Sequence, residues 1–263
     1  MAAKRLDRVP PSPSLARKKP ARIAKPKIIV YCEGATEEHY LNKIRSELGS
    51  RMVEIEALGQ IGVPDTVVQK AVDRLAELTT AARRRTSDSF DSLFTVWAMF
   101  DKDDFEVDAA KQAAGNAGVR VAFSNPCFEL WGVLHLEDCD APNDRHATQR
   151  RLKEIMPPYD HEANPYFNYD LMTEAARSDA LRRARILKRR REDEQSPEDS
   201  PFTSVCDLVE QILVATGNLQ SVEEAISDVK LEIAALTSRE DAYTNATQAN
   251  LSRLYDTLKQ LKA

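Results

Sequence analysis

The sequence predicts an α/β protein: a mostly parallel sheet flanked by helices, with a helical extension at the C-terminal end. Two observations predict it. Across residues 28–123, short β-branched or apolar runs alternate with segments whose apolar residues recur at helical spacing, in the order β-α-β-α-β-α-β. That alternation is what a parallel sheet with crossover helices requires. At 263 residues and 42% hydrophobic, the chain also carries enough apolar surface for one sizeable core with appendages.

The first strand is Ile28 to Tyr31, closed by Glu33 and Gly34. Thr36 then caps a helix whose first turn holds Glu37 and Glu38, where the helix dipole favours anions. Its apolar residues Tyr40, Leu41, Ile44 and Leu48 share a face until Gly49. Val53, Ile55 and Ala57 alternate as a second strand broken by Gly59 and Gly62, and Asp65 caps a long amphipathic helix through Val68, Val72, Leu75 and Leu78. Leu93 to Phe100 is a nearly continuous apolar strand ending in Asp101-Lys102-Asp103-Asp104. A helix over about Val107 to Ala117, stopped by Gly118, leads to a fourth strand at Val119, Val121 and Phe123. Pro126 suits the first turn of a helix that carries Phe128, Leu130, Trp131, Val133 and Leu134 inward. Asp138 to Asn168, with four prolines, is expected to be loop-rich and to fold over the sheet edge. Helices follow over Tyr169 to Arg191 and around Val205 to Ile212, and Glu223 to Leu261 carries one or two more amphipathic helices. The expected organisation is a disordered basic arm (1–26), a main domain (27–218, divided into 27–136 and 137–218) and the helical extension (219–263).

Charge is unevenly spread. Residues 1–27 hold nine Lys or Arg against Asp7, a local +8, so a chain of net −5 has an acidic body of −13. The arm's five prolines and sparse apolar side chains leave it without regular structure. It either supplements phosphate binding through counterion release or serves as a solubilising tail. With 30% charged residues and no apolar run near the about 18 needed to span a bilayer, a membrane protein is excluded. The basic, proline-punctuated start lacks the apolar core of a secretory signal, which implies a cytoplasmic location. Cys32, Cys127, Cys139 and Cys206 lack ligand-like spacing and read as reduced thiols.

The chemistry concentrates on carboxylates. In a parallel α/β sheet, ligands collect at the carboxyl ends of the strands. Glu33 ends the first strand, Asp101 the third, and Asp103 follows two residues later, so three carboxylates converge on one rim. Oxygen donors grouped in this way suit a hard divalent cation, Mg²⁺ or Mn²⁺, and hence metal-assisted phosphoryl chemistry. Asp104 stands nearby, but neighbours in an extended segment point oppositely. Glu129, after the fourth strand on the same rim, is either a further catalytic carboxylate or a buried acid at a helix start. Lys102 is a candidate for neutralising transition-state charge. Seven cations between Arg182 and Arg191 include Arg182, Arg183, Arg185, Lys188, Arg189 and Arg190. They form either a nucleic-acid contact or a solvated helix end paired with its own acidic neighbours.

Ile28 to Glu37 (I-I-V-Y-C-E-G-A-T-E) and Val96 to Phe105 (V-W-A-M-F-D-K-D-D-F) resemble the two motifs of a Toprim domain, the catalytic fold shared by topoisomerases, primases and overcoming-lysogenization-defect nucleases. More narrowly, Ser124 to His135 (S-N-P-C-F-E-L-W-G-V-L-H) and Pro201 to Leu213 (P-F-T-S-V-C-D-L-V-E-Q-I-L) resemble the RloB family, restriction-linked bacterial proteins associated with phage defence and including abortive-infection components. The resemblance covers roughly Lys27 to Ala215.

It implies that Glu33 acts as general acid/base or metal ligand while Asp101 and Asp103 bind Mg²⁺, in a nuclease of DNA or RNA, tRNA included. No tyrosine stands out as a topoisomerase-like nucleophile, which favours hydrolysis over strand passage. The rival is a non-catalytic adaptor or sensor subunit of a defence complex. The resemblance also implies a neighbouring-gene ATPase as partner. The chain has no G-x-x-x-x-G-K-[ST] loop of its own, and the stripe within Glu223 to Leu261 is either the docking element or part of the core.

Overall fold

Lys27–Cys32 (β1) reads K-I-I-V-Y-C, and its alternation divides the core. Ile28, Val30 and Cys32 enter one apolar cluster and Ile29 the other, on opposite sheet faces. Glu54–Leu58 (β2) and Phe94–Asp101 (β3) flank β1, both parallel to it, with Lys27 opposite Glu54 and Phe94. Arg120–Asn125 (β4) lies parallel to β3, and the short Phe202–Thr203 (β5) pairs antiparallel with β4. The sheet order is β2-β1-β3-β4-β5. This computed structural model describes residues 27–48, 54–59, 62–84, 94–103 and 106–218. The basic arm, Asp104 and the C-terminal extension lie outside the described residues.

Seven helices cover the sheet among the described residues: Ala35–Leu48 (α1), Pro64–Arg84 (α2), Asp108–Ala117 (α3), Glu129–Leu136 (α4), Arg145–Ile155 (α5), Glu174–Asp193 (α6) and Val205–Ala215 (α7). Tyr40 and Leu41 of α1, Trp131 and Leu134 of α4, Leu152 of α5, Ala184 of α6 and Val209 of α7 pack on the Val30 face. Val67 and Ala71 of α2 and Ala110 and Ala114 of α3 pack on the Ile29 face. Each fully buried large aliphatic or aromatic side chain contributes about 1.5–3 kcal/mol, so both layers hold the sheet firmly.

The chain leaves β1 through α1 toward β2 on one side, and leaves β3 through α3 toward β4 on the other. The strand order therefore switches between β1 and β3, and the crevice lies at their carboxyl ends.

α1 and α2 begin at Ala35 and Pro64, so Thr36 and Asp65 lie within their first turns and are not the caps expected. β5 is an element the sequence did not announce. Three further elements differ more. The segment 138–168 contains α5: Asp144 accepts from the Ala147 N–H at 2.7 Å and starts a helix that fits between Pro142 and Pro157. The prolines bracket that helix instead of interrupting it. α6 begins at Glu174, not Tyr169, because Thr173 caps it by accepting from the Ala176 N–H at 3.2 Å. α4 begins at Glu129, after a turn in which the Leu130 N–H donates to Cys127 O at 3.1 Å. No helix among the described residues is long and apolar enough to cross a membrane.

Candidate active site

The ends of β1 and β3 are tied together by backbone. The Glu33 N–H donates to Met99 O at 3.1 Å, and Glu33 Oε2 in turn accepts from the Asp101 N–H at 3.2 Å. Asp101 Oδ2 accepts from the Phe128 N–H at 2.8 Å, so the carboxylate at the end of β3 is oriented by the approach to α4. Beyond it the chain is held against the β4 exit, where Lys102 N–H donates to Ser124 O at 2.8 Å and Asp103 N–H to Pro126 O at 3.2 Å. Asp103 has φ 37°, a left-handed conformation that an Asp tolerates better than bulky residues do. Its Oδ2 pairs with Arg145 Nη1 of α5 at 2.9 Å.

Of these residues, Glu33, Asp101, Asp103, Phe128 and Arg145 line a cavity of about 260 Å³. Glu33, Asp101, Asp103 and Glu129, the four expected catalytic carboxylates, all reach it. The structure adds a fifth, Glu37, together with Arg145, Gln149 and His161. Glu37 sits in the first turn of α1 and is only 5% exposed, because the turn faces the cavity. A Cβ at position 34 would lie 2.6 Å from Glu37 Oε2, so Gly34 leaves room for that carboxylate. Lys102 does not line the cavity.

Glu129 is buried, and one of its oxygens is heavily engaged. Its Oε1 accepts from Tyr159 Oη at 2.6 Å and from His161 Nδ1 at 2.9 Å, and Gln149 Nε2 stands 3.5 Å away. An ionised carboxylate only accepts, so Nδ1 of His161 carries a proton and Nε2 is the nitrogen that titrates.

The electrostatics separate the carboxylates. Burial pushes Glu33 up, opposed by the Asp101 N–H and reinforced by Asp103. Burial, with the repulsion of Glu129, Glu33 and Asp103, pushes Glu37 up to about 8. Asp101 is held well above the usual carboxylate range by burial and then by Glu37 and Glu129. Burial would raise Glu129 too, but the bonds from His161, Tyr159 and Cys127 outweigh it and leave its pKa lowered. His161 is raised, chiefly by its bond to Glu129.

Among the described residues, no group of three or more His, Cys, Asp or Glu side chains stands ready to hold a metal ion, since these carboxylates are turned to separate donors. The donor set nevertheless fits a hard divalent cation. Five carboxylates face one small cavity with Arg145 as the lone Lys or Arg among its lining residues, and Asp103 Oδ1 is buried without a hydrogen-bond partner.

The expected nucleic-acid cations are not brought to this cavity. Six of the seven basic residues between Arg182 and Arg191 pair with the chain's own carboxylates: Arg182 with Asp179, Arg183 with Asp138, Arg185 with Glu210, Lys188 with Asp207, Arg190 with Asp140 and Arg191 with Glu194. Arg183 also donates to Leu134 O at 2.8 Å, at the end of α4 remote from Glu129. The exposed Arg189 has no partner among the described residues.

His135 and Cys139 are engaged separately: His135 Nδ1 lies 2.8 Å from Trp131 O, and Cys139 Sγ accepts from Asn143 at 3.6 Å. A larger cavity of about 420 Å³, lined by Glu47, Met172 and Arg177, lies at the opposite end of α1, about 15 Å along the helix from Glu37. Its buried guanidinium is already paired, Arg177 Nη2 with Glu47 at 2.8 Å.

Sequence reasoning missed Glu37, Arg145, Tyr159 and His161 as parts of this site. A signal existed for Glu37, four residues after Glu33 with a glycine between them. Arg145 and His161 depended on α5, which the prolines concealed.

No curated protein and no solved structure matches the chain. The family model described as RloB-like protein matches residues 28–212, which include all five strands except Lys27 and every residue lining the carboxylate cavity. The chain belongs to the RloB-like protein family.

Proposed function

We propose that this protein is a Toprim-type nuclease, dependent on Mg²⁺ or Mn²⁺, that hydrolyses phosphodiester bonds of DNA or RNA in the bacterial cytoplasm as part of antiphage defence. The observation that carries this reading is the convergence of five carboxylates on one cavity at the β1/β3 switch point, where burial and mutual repulsion raise Glu33, Glu37 and Asp101. Like charges held together in a confined space are costly unless a cation neutralises them, which gives the arrangement a chemical purpose.

Asp101, Asp103 and Glu33 would hold the cation, with Glu37 within reach of the same space. When bound, it would polarise the scissile phosphate and lower the pKa of a water. Arg145 already lies against Asp103 and supplies positive charge for a phosphate oxygen. Glu129 keeps His161 protonated at Nδ1, which places a group able to exchange a proton at the cavity wall. A neighbouring-gene ATPase remains the proposed partner that restrains or activates the enzyme.

The test is incubation of the full chain with mixed DNA and RNA in Mg²⁺, in Mn²⁺ and in chelator. Metal-dependent strand cleavage that disappears in Glu33→Gln and Asp101→Asn is expected. A wild-type protein that leaves all nucleic acids intact with either metal, or variants that cleave equally well, would overturn the nuclease reading.

A further inference from the structure

Beside the carboxylate cavity stands a cluster of aromatic rings that its chemistry does not use. Pro165 lines the cavity wall, and Tyr166 follows it directly, 42% exposed, with no hydrogen bond to its hydroxyl among the described residues. The Tyr166 ring rests on the exposed ring of His39, their centroids 4.3 Å apart and tilted by 35°. His39 is also held by Tyr169: its Nδ1 lies 3.1 Å from Tyr169 Oη. Lys43 stands one helical turn after His39 on α1, on the same face, with its ammonium 5.5 Å from the Tyr169 ring centroid.

The platform adjoins the cavity through residues 165 and 166. Pro165 lines the cavity and Tyr166 is the next residue, while on α1 the buried Glu37 lines it and the exposed His39, two positions on, turns to a different face of the helix. An open, backed aromatic face joined to a site for phosphates, with a lysine ammonium on the same side, is the arrangement that stacks an unpaired base while its backbone phosphate is held. A base within a duplex is stacked on both faces and offers no free ring.

We infer that Tyr166, supported by His39 and Tyr169, is a stacking platform for an unpaired nucleobase next to the phosphate held in the cavity, so the substrate class is single-stranded DNA or RNA, or an unpaired loop. This deepens the nuclease reading and rests on it for the identity of the bound polymer. Stacking tolerates any base, so the platform confers preference for single strands without sequence specificity.

The test measures binding apart from cleavage. Fluorescein-labelled short oligothymidylate, oligouridylate and a duplex of mixed sequence are titrated with the full chain in chelator, by fluorescence anisotropy. The expected result is tighter binding of a single strand than of the duplex, weakened by about tenfold in Tyr166→Ala and restored in Tyr166→Trp. The indole of the Tyr166→Trp variant is expected to be quenched on binding. An oligonucleotide with abasic positions throughout should bind wild type and Tyr166→Ala alike. Preference for the duplex, or single-strand affinity unchanged in Tyr166→Ala, would overturn the platform.

The two readings fail separately. Metal-dependent cleavage with Tyr166→Ala binding like wild type removes the platform and leaves the nuclease. Tyr166-dependent single-strand binding without cleavage in any metal removes the nuclease and leaves the platform. Tyr166 is exposed, and matching thermal melts of the variants establish that binding, not folding, has changed.

Discussion

Phe128 donates its backbone N–H to Asp101 Oδ2 at 2.8 Å, which fixes the carboxylate at the end of β3 to the turn that begins α4. The donor is main chain, so the bond asks only for an oxygen acceptor at position 101. An asparagine retains that oxygen while losing the negative charge.

Asp101→Asn and Glu33→Gln are therefore expected to fold with melting temperatures close to wild type and to lose metal-dependent cleavage by at least about 100-fold. Differential scanning calorimetry and gel-based cleavage assays measure the two properties side by side. A variant that retains cleavage would remove its residue from the catalytic set.

The pH response follows from Glu37. Burial, with the repulsion of neighbouring carboxylates, pushes its pKa up to about 8 in the folded protein from the ordinary 4.5. The folded state thus keeps a proton that the unfolded state releases, and metal-free stability should fall as pH rises from about 4.5 to about 8. The same proton must leave when a cation binds, so Mg²⁺ affinity should rise with pH over this window, by up to about tenfold per unit for one released proton. Thermal melts with and without Mg²⁺ at pH 5.5 and 8 measure both trends. Glu37→Gln should flatten the metal-free profile, and a Mg²⁺ shift that shrinks with rising pH would contradict the assignment.

The basic end of α6 is expected to act as a brace. Arg183 is 14% exposed at its side chain, pairs with Asp138 and donates to Leu134 O. Arg183→Gln should cost about 1–2 kcal/mol in urea denaturation, while the exposed Arg182→Gln should stay within about 0.5 kcal/mol. Replacing Arg182, Arg185 and Arg189 together should leave the salt dependence of nucleic-acid binding unchanged. A slope shallower by about 0.7–0.9 per replaced residue would return these cations to the substrate.

Acid should destabilise the fold through His135. Burial depresses its pKa to about 4 from 6.5, so the folded state excludes a proton that the unfolded state accepts. Stability is lost as pH falls from about 6.5 toward 4, by roughly 3 kcal/mol for this group. His135→Gln should remove that part of the acid sensitivity in denaturation curves at pH 7 and pH 4.5.

The parallel sheet and the Glu33, Asp101 and Asp103 rim were legible because strand periodicity is local and the carboxyl end of a strand is defined by where its apolar run stops. Glu37 was read only as an acid favoured by a helix dipole: sequence period says which residues share a face, not which neighbour the first turn meets. The two-residue β5 is too short for any period. The paired state of Arg185 and Lys188 depends on α7 bringing Glu210 and Asp207 alongside, a tertiary fact that charge counting along α6 does not contain.

Glu33 and Asp101 are 68 positions apart, and the cavity they share also needs Arg145 and His161. No fragment that stops short of residue 161 can assemble it. During synthesis, at about 5–20 residues per second, Glu33 therefore waits many seconds for its last wall. On the proposed nuclease reading, a growing chain surrounded by messenger, transfer and ribosomal RNA would be inert toward them for that whole interval, and the late, long-range completion of the cavity would itself delay the chemistry.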